Sequence, residues 1–239
     1  MDQSIYIQLM RNRPIHAHGL TFYPPSLSDI FDRIGYENLK NLMIPFCLTM
    51  DCFDFPDDTA ASLSLFKDIL LMNPMYQSCI RTALETICHE TQVIFTYEDI
   101  RIQPTDGDPI IINEDDFEHL CQIMMALSGT RKIHIEKPPA GLSDRQLDIW
   151  QKLHEGRERE RIKNTPALID ILNICSYGGD YYISMEEIER WNLWQLMNCY
   201  CVRTGLKDYN DCLALTPVTY DVKAISGDKH WTNRLKIRD

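Results

Sequence analysis

The sequence lacks any long apolar run. No stretch approaches the roughly 18–20 residues a helical bilayer span requires. It lacks a Gly-rich phosphate loop, a Gly-x-Ser-x-Gly elbow and a His-Glu-x-x-His pair, so the common nucleotide, acyl-transfer and zinc-protease signatures are missing. No cofactor motif stands out, and no pair of carboxylates is placed by spacing for acid–base work. An enzymatic role is not expected. Positive charge is also short: 24 Lys and Arg stand against 35 Asp and Glu, a net of −11. Binding phosphates takes clustered Lys and Arg, so neither nucleic acid nor an anionic membrane is an expected partner. The first ten residues carry Asp2 and no basic group, a poor secretory signal, and the chain is expected to stay in the cytoplasm where it is made.

What is present fits a globular protein. Hydrophobic residues make up 44% and charged residues 25% of 239 positions, enough to bury a real core. Residues 1–140 hold 20 acidic and 10 basic side chains, whereas residues 141–239 hold 15 and 14. That asymmetry suggests two parts with different surfaces. Nine cysteines are an odd count, and Cys47, Cys79, Cys88, Cys121, Cys175 and Cys212 sit in apolar segments. Free thiols packed as small hydrophobes are expected rather than a disulfide framework.

Periodicity predicts a mainly α protein with small β-hairpins, an α+β chain. Ile5, Ile7 and Leu9 alternate, which reads Ser4–Met10 as a strand. A second extended stretch runs from Ile15 to Phe22, so a hairpin is expected to open the chain. Pro24-Pro25 ends it, Ser26 or Ser28 caps a helix carrying Leu27, Ile30, Phe31 and Ile34, and Gly35 stops that helix. Residues 36–52 continue as helix with an interruption at Pro45. Asp54–Asp58 is an acidic loop. Leu63, Phe66, Ile69 and Leu70 repeat at helical spacing, and a further helix follows Pro74. Val93–Phe95 and Ile110–Ile112 read as strands around a Gln103–Asp108 loop, before Asn113 caps a helix burying Phe117, Leu120, Cys121, Met124 and Leu127. The Pro138-Pro139-Ala140-Gly141 cluster within Ser128–Ser143 is the best boundary. It divides an N-terminal α+β domain, 1–135, from a helical domain, 143–239. Helices are expected from Asp144, over 165–176 and over 184–203. Asp208–Asp239 show no long period and are expected to be partly mobile.

Several residue groups could carry chemistry. His16-x-His18 would put both imidazoles on one strand face, as a zinc site could use, but no third ligand lies nearby; solvent-facing polar residues explain the pair as well. Cys199-x-Cys201 in a helix points its thiols apart and reads as packing. Asp106-Gly107-Asp108 and Glu114-Asp115-Asp116 lack EF-hand spacing; a turn and an acidic helix start account for them. Arg157, Arg159 and Arg161 form a basic run interleaved with Glu155, Glu158 and Glu160, either a solvated face with i,i+4 pairs or a docking surface for an acidic helix. Trp191, Trp194, Met197 and Cys201 fall on one helical face, with Leu193, Leu196 and Tyr200 on another. A helix apolar on both sides is central to a core or shared between core and partner. Candidate protein-binding residues are therefore Trp191, Trp194, Met197, Tyr200, Arg157, Arg159 and Arg161.

Two stretches resemble a known group. Gly19-Leu20-Thr21-Phe22-Tyr23-Pro24-Pro25-Ser26-Leu27-Ser28-Asp29-Ile30, followed by Ile34-Gly35-Tyr36, is similar to the opening of tail proteins from phages and prophages of Gram-positive hosts. The Ile110–Phe117 segment and the terminal Lys229-His230-Trp231 match the same group. The resemblance rests on about thirty residues of structural rather than catalytic type, and the cysteine and methionine content and the Trp191–Cys201 segment depart from it. It implies a bacteriophage tail assembly chaperone, a non-enzymatic factor in virion morphogenesis. Such a factor keeps the tape-measure protein soluble and recruits tail tube subunits in the host cytoplasm. The alternative is a structural virion protein of the tail or neck. Self-association is left open.

Overall fold

Ile5 and Leu9 are buried four residues apart while Ile7 is exposed, and that spacing belongs to a helix. Gln3–Met10 is accordingly α1, not the strand that alternation suggested. Ile5 and Leu9 satisfy both periods, and the packing of Tyr6 against Trp194, ring centroids 6.0 Å apart, favours the helix. The computed structural model describes residues 3–55, 60, 62–90, 92–104, 108–139 and 141–215, with side chains to residue 207.

The hairpin lies one segment later than expected. Strands β1 (Ile15–Ala17) and β2 (Leu20–Phe22) pair antiparallel in the register Ile15↔Phe22 and Ala17↔Leu20. Their two-residue connection, His18-Gly19, has φ of 50° and 77°. Two positive φ values in a two-residue loop suit the right-handed twist of the strands, and Gly19 adopts its value without steric cost. Ser26 then caps α2 (Leu27–Asp29) by accepting from the Asp29 N–H at 3.0 Å. The helix widens into a π-helical turn over Ile30–Ile34 and stops at Gly35, as the sequence indicated.

Helix α3 (Tyr36–Cys47) retains Pro45 in its last turn and ends two residues later. The expected helix around Phe66 is a single π turn, Leu65–Leu70, begun by Ser64. Helix α4 (Pro74–Cys88) starts where Asn73 accepts from the Met75 N–H, with Pro74 in its favoured first position. Three strands follow, not two: β3 (Val93–Phe95), β4 (Ile100–Ile102) and β5 (Ile110–Ile112) form an antiparallel meander. Val93, Ile100, Ile102 and Ile112 are buried on its inner face. Ile94, Arg101 and Ile111 stand in one exposed row.

Helix α5 (Glu114–Ser128) is the central element. Asn113 and Asp116 form its capping box, and all five residues expected to face inward are buried, together with Ile123, Met125 and Ala126. Burial on every side marks a helix enclosed by others. Phe117 on α5 stacks near Phe46 of α3 and Phe66 of the π turn, with centroids 5.7 and 4.8 Å away.

From Thr130 to Ser143 the described residues hold no helix or strand. The Ile133 N–H donates to the Cys47 carbonyl at 2.7 Å, which ties this segment to the end of α3. Four helices follow: α6 (Asp144–Asn164), α7 (Leu168–Tyr177), α8 (Met185–Glu189) and α9 (Leu193–Leu215). Ile171, Leu172, Cys175, Ile188, Leu193 and Leu196 join the same buried cluster as the residues of α1 to α5. Helix α9 continues to Leu215, into the stretch that showed no period. The rest of that stretch, residues 216–239, lies outside the described residues, as do Pro56–Thr59 and Thr105–Gly107.

Candidate protein-binding surface

Helix α6 has 21 residues and none of them is buried. Its local sequence explains why it is helical without a core to pack on. The Gln146 carboxamide oxygen accepts from both the N–H and the hydroxyl of Ser143 at 2.9 Å, closing the first turn. Lys152 pairs with Asp148 at 2.8 Å, Arg159 with Glu155 at 2.9 Å and Arg161 with Glu158 at 2.8 Å. Opposite charges three or four residues apart on a helix stabilise it modestly. Trp150 stacks on His154 one turn later, rings 4° from parallel and 5.1 Å apart. Glu136, in the segment before α6, lies 3.3 Å from His154 and 3.5 Å from Arg157.

Each of the three guanidiniums singled out in the sequence therefore has a carboxylate partner, and the Glu155–Arg159 pair is the one its spacing indicated. Helix α6 also carries exposed apolar side chains: Ile149 is 48% exposed, Leu153 58% and Ile162 70%, while Leu147 and Trp150, three residues apart, are half-buried. Tyr177 at the end of α7 and Tyr181 and Tyr182 in the loop after it are also exposed, and the rings of Tyr177 and Tyr182 lie 5.4 Å apart. The sequence reading passed over these tyrosines. The Tyr-Tyr pair directly after a Gly-Gly loop was the signal that could have found them.

The tryptophan segment is built differently from its sequence expectation. The expected 184–203 helix breaks between α8 and α9, because Asn192 acts as a second helix start. Its side-chain oxygen accepts from the Gln195 N–H at 2.9 Å, and the Gln195 oxygen accepts from the Asn192 N–H at 3.0 Å. Trp191 thus sits in the connection and does not share a helical face with Trp194 and Met197. Trp191, Trp194, Met197 and Tyr200 are all half-buried and packed against the core. The Trp194 indole N–H and the Gln8 side-chain oxygen are buried without a hydrogen-bond partner among the described residues.

The two histidines read as a pair diverge. The His16 Nδ1 contacts the Thr21 hydroxyl at 3.0 Å. His18 instead joins a chain of its own: Nδ1 is 2.9 Å from the Asp116 carboxylate and Nε2 is 2.8 Å from Nδ1 of His119. Asp116 and His119 occupy opposite nitrogens of one ring and cannot share an ion through it. Among the described residues, no group of three or more His, Cys, Asp or Glu is arranged to hold a metal. Asp116 accepts from the His18 Nδ1–H, and one of the two imidazoles supplies the proton between His18 Nε2 and His119 Nδ1. The chain joins the hairpin turn to the first turns of α5.

Glu114, Asp115 and Asp116 lie at the start of α5, where the helix dipole favours negative charge. Glu114 accepts from the Ser64 hydroxyl at 2.7 Å. A cleft of about 250 Å³ between the π turn and α5 is lined by Phe66, Phe117, Glu114, Glu118 and Lys132, with Lys132 paired to Glu118. That volume falls below the usual range for a small-molecule site. Eight described cysteines are free thiols. Burial pushes the Cys88 and Cys121 thiols up to about 12, which keeps them protonated.

Among the described residues, no helix is long and apolar enough to cross a membrane. The chain matches no family model, no curated protein and no solved structure.

Proposed function

We propose that this protein acts by binding other proteins without catalysis, as a tail assembly chaperone of a tailed phage or prophage. In this reading it holds apolar helical segments of the tape-measure protein in the host cytoplasm and brings them to tail tube subunits. One observation carries the reading: α6 buries none of its 21 residues, leaves Ile149, Leu153 and Ile162 exposed, and holds Leu147 and Trp150 only half-buried, with Leu147, Trp150 and Leu153 three residues apart. An apolar stripe rimmed by charge marks a surface that another chain covers for part of its life. Helix-in-groove and helix-on-helix recognition use this spacing of anchors. Trp150 is the natural anchor, since tryptophans dominate the binding energy of protein interfaces. Trp194 and Met197 pack α9 against the core. The net charge of −11 keeps such a carrier soluble and disfavours self-aggregation.

The test is co-expression with tape-measure fragments from the same genome. Wild-type protein is expected to hold a fragment in the soluble fraction, and a Trp150→Ala, Leu153→Ala variant is expected to lose it while remaining folded. Mass spectrometry of purified particles separates the chaperone from a structural component. The chaperone is absent from mature virions, whereas stoichiometric recovery there identifies a protein of the tail or neck.

A further inference from the structure

The β1–β2 turn is gripped from two sides. Gly19 lies against Ile110 of β5, where an added Cβ would come within 3.3 Å of that side chain. The His18 ring lies against the start of α5, between the Asp116 carboxylate at 2.9 Å and the His119 imidazole at 2.8 Å. The two rings meet edge to face, with centroids 4.9 Å apart. His18 holds φ at 50°, an uncommon value for a residue with a Cβ, so its position rests on what the ring meets. The side chains of His18 and Asp116 are only 22% and 28% exposed, which limits the screening of their interaction by salt.

We propose that the His18–His119 pair is an acid-released clasp that holds the β1–β2 turn on α5. A hydrogen bond between two imidazoles needs one proton on the line between the facing nitrogens. Asp116 keeps a proton on His18 Nδ1. In the neutral pair, His119 Nδ1–H therefore fills the line and donates to His18 Nε2. One added proton charges either ring and still leaves a single proton on the line. The bond persists, and the Asp116 carboxylate offsets the charge. A second added proton puts an N–H on both facing nitrogens. Neither can then accept, and two charged rings face each other at hydrogen-bonding distance. The released turn thus takes up one proton more than the docked turn. Falling pH favours release, by up to about tenfold in the released-to-docked ratio per pH unit.

The surroundings leave the balance to these three groups. Among the described residues, Asp116 is the one charged side chain at ion-pair distance from either ring. Glu114, Asp115 and Glu118 line the cleft on the π turn, where Glu114 accepts from Ser64 and Glu118 pairs with Lys132. On the hairpin itself His16 meets Thr21. Helix α1 carries no charged side chain, and Asp108, just before β5, is exposed. Helix α4, bonded to the end of β2 through the Ile87 carbonyl, carries Glu85, Arg81 over the Phe95 ring and is followed by His89 against the Tyr23 ring.

The experiment follows the isotope-labelled full-length protein by NMR from about pH 8 to about pH 4.5, the range in which histidines ordinarily take up a proton. A coupling through the hydrogen bond between His18 Nε2 and His119 Nδ1 is expected at neutral pH and is expected to vanish once both rings are charged. The Gly19 amide signal is expected to move with that loss and not with the first proton. In His119→Gln the carboxamide still bonds His18 but takes up no proton, so the Gly19 signal is expected to stay in its docked position throughout. His16→Gln is expected to behave as wild type. A coupling that survives with both rings charged, a Gly19 signal that ignores the second proton, or an unchanged transition in His119→Gln overturns the proposal. The first two outcomes are read on the wild-type chain and do not depend on a variant folding.

Discussion

The side-chain nitrogen of Asn192 donates to the backbone carbonyl of Leu9 at 2.8 Å, closing the start of α9 onto the end of α1 across 183 residues of sequence. The same amide reaches the Asn12 side-chain oxygen at 2.9 Å, and Gln195 donates to the Met10 carbonyl at 2.9 Å. Trp191 accepts from the Leu27 N–H at 2.7 Å. Asn192 is only 1% exposed, so its own amide is satisfied within the chain. Replacement by Ala removes the bond to the Gln195 N–H and one of the two bonds to the Leu9 carbonyl, which keeps the Asn12 N–H at 3.1 Å. Urea denaturation should register a loss of about 2 kcal/mol, the scale for losing buried hydrogen bonds. A loss near zero would show that solvent reaches the site.

Cleavage after the exposed Glu136 with a glutamate-specific protease tests the same closure from the backbone side. The two fragments should remain associated through native gel filtration and separate in denaturant. Ile188, Leu193 and Leu196 share one buried cluster with residues of α1 to α5, and the Asn192 bonds cross between the fragments. Fragments that part without denaturant would refute a common core.

Asp29 ties stability to acid. The Ser26 hydroxyl donates to its carboxylate at 2.6 Å and Arg33 lies 3.1 Å away, which together hold it below the ordinary carboxylate range. A lowered folded value contributes stability above the unfolded value, and that contribution is lost as pH falls through the folded one. Wild type should therefore exceed Asp29→Asn in chemical denaturation at neutral pH, with the gap closing below about pH 4. A gap that stays constant down to strong acid would remove the charge from the explanation.

Two tryptophans should separate folding from binding. Trp194→Ala removes a half-buried ring packed on Tyr6 and should lower the melting temperature, at a cost approaching the roughly 3 kcal/mol of a large core truncation. Trp150→Ala should change stability by no more than about 0.5 kcal/mol. It should weaken capture of a tape-measure fragment by about 2 kcal/mol, as loss of an interface anchor does. Calorimetry on both variants reads both effects. A Trp150 variant that unfolds, or one that binds as wild type does, would move the binding surface off α6.

The parts of this fold written in local chemistry were legible. Ser26 and Asn113 each begin a helix with a side-chain cap, a helix follows Pro74, Gly35 ends one, and Ile110–Ile112 lies in a strand. The misreadings arose where two local rules agreed with the same residues. Ile5 and Leu9 fit both a strand and a helix, and packing against α9 decided between them. Strand β4 is as short as β3 and β5, but Arg101 interrupts its apolar run behind Glu98-Asp99. The α8–α9 break could have been read from Asn192-x-x-Gln195, a helix-start pattern hidden inside an otherwise apolar run. The Asp116–His18–His119 chain could not, because its histidines lie 101 residues apart and only the hairpin turn brings them together.

The bareness of α6 also bears on how this protein can change. At 1.5 Å per residue the helix is a rod about 31 Å long. Its stability rests on a capped first turn and on ion pairs within easy reach of substitution. No side chain along it answers to the core, so a mutation there meets no folding penalty large enough to be purged. On the proposed reading, recognition can drift with a changing partner, one exposed side chain at a time, while the cluster built around α5 stays fixed.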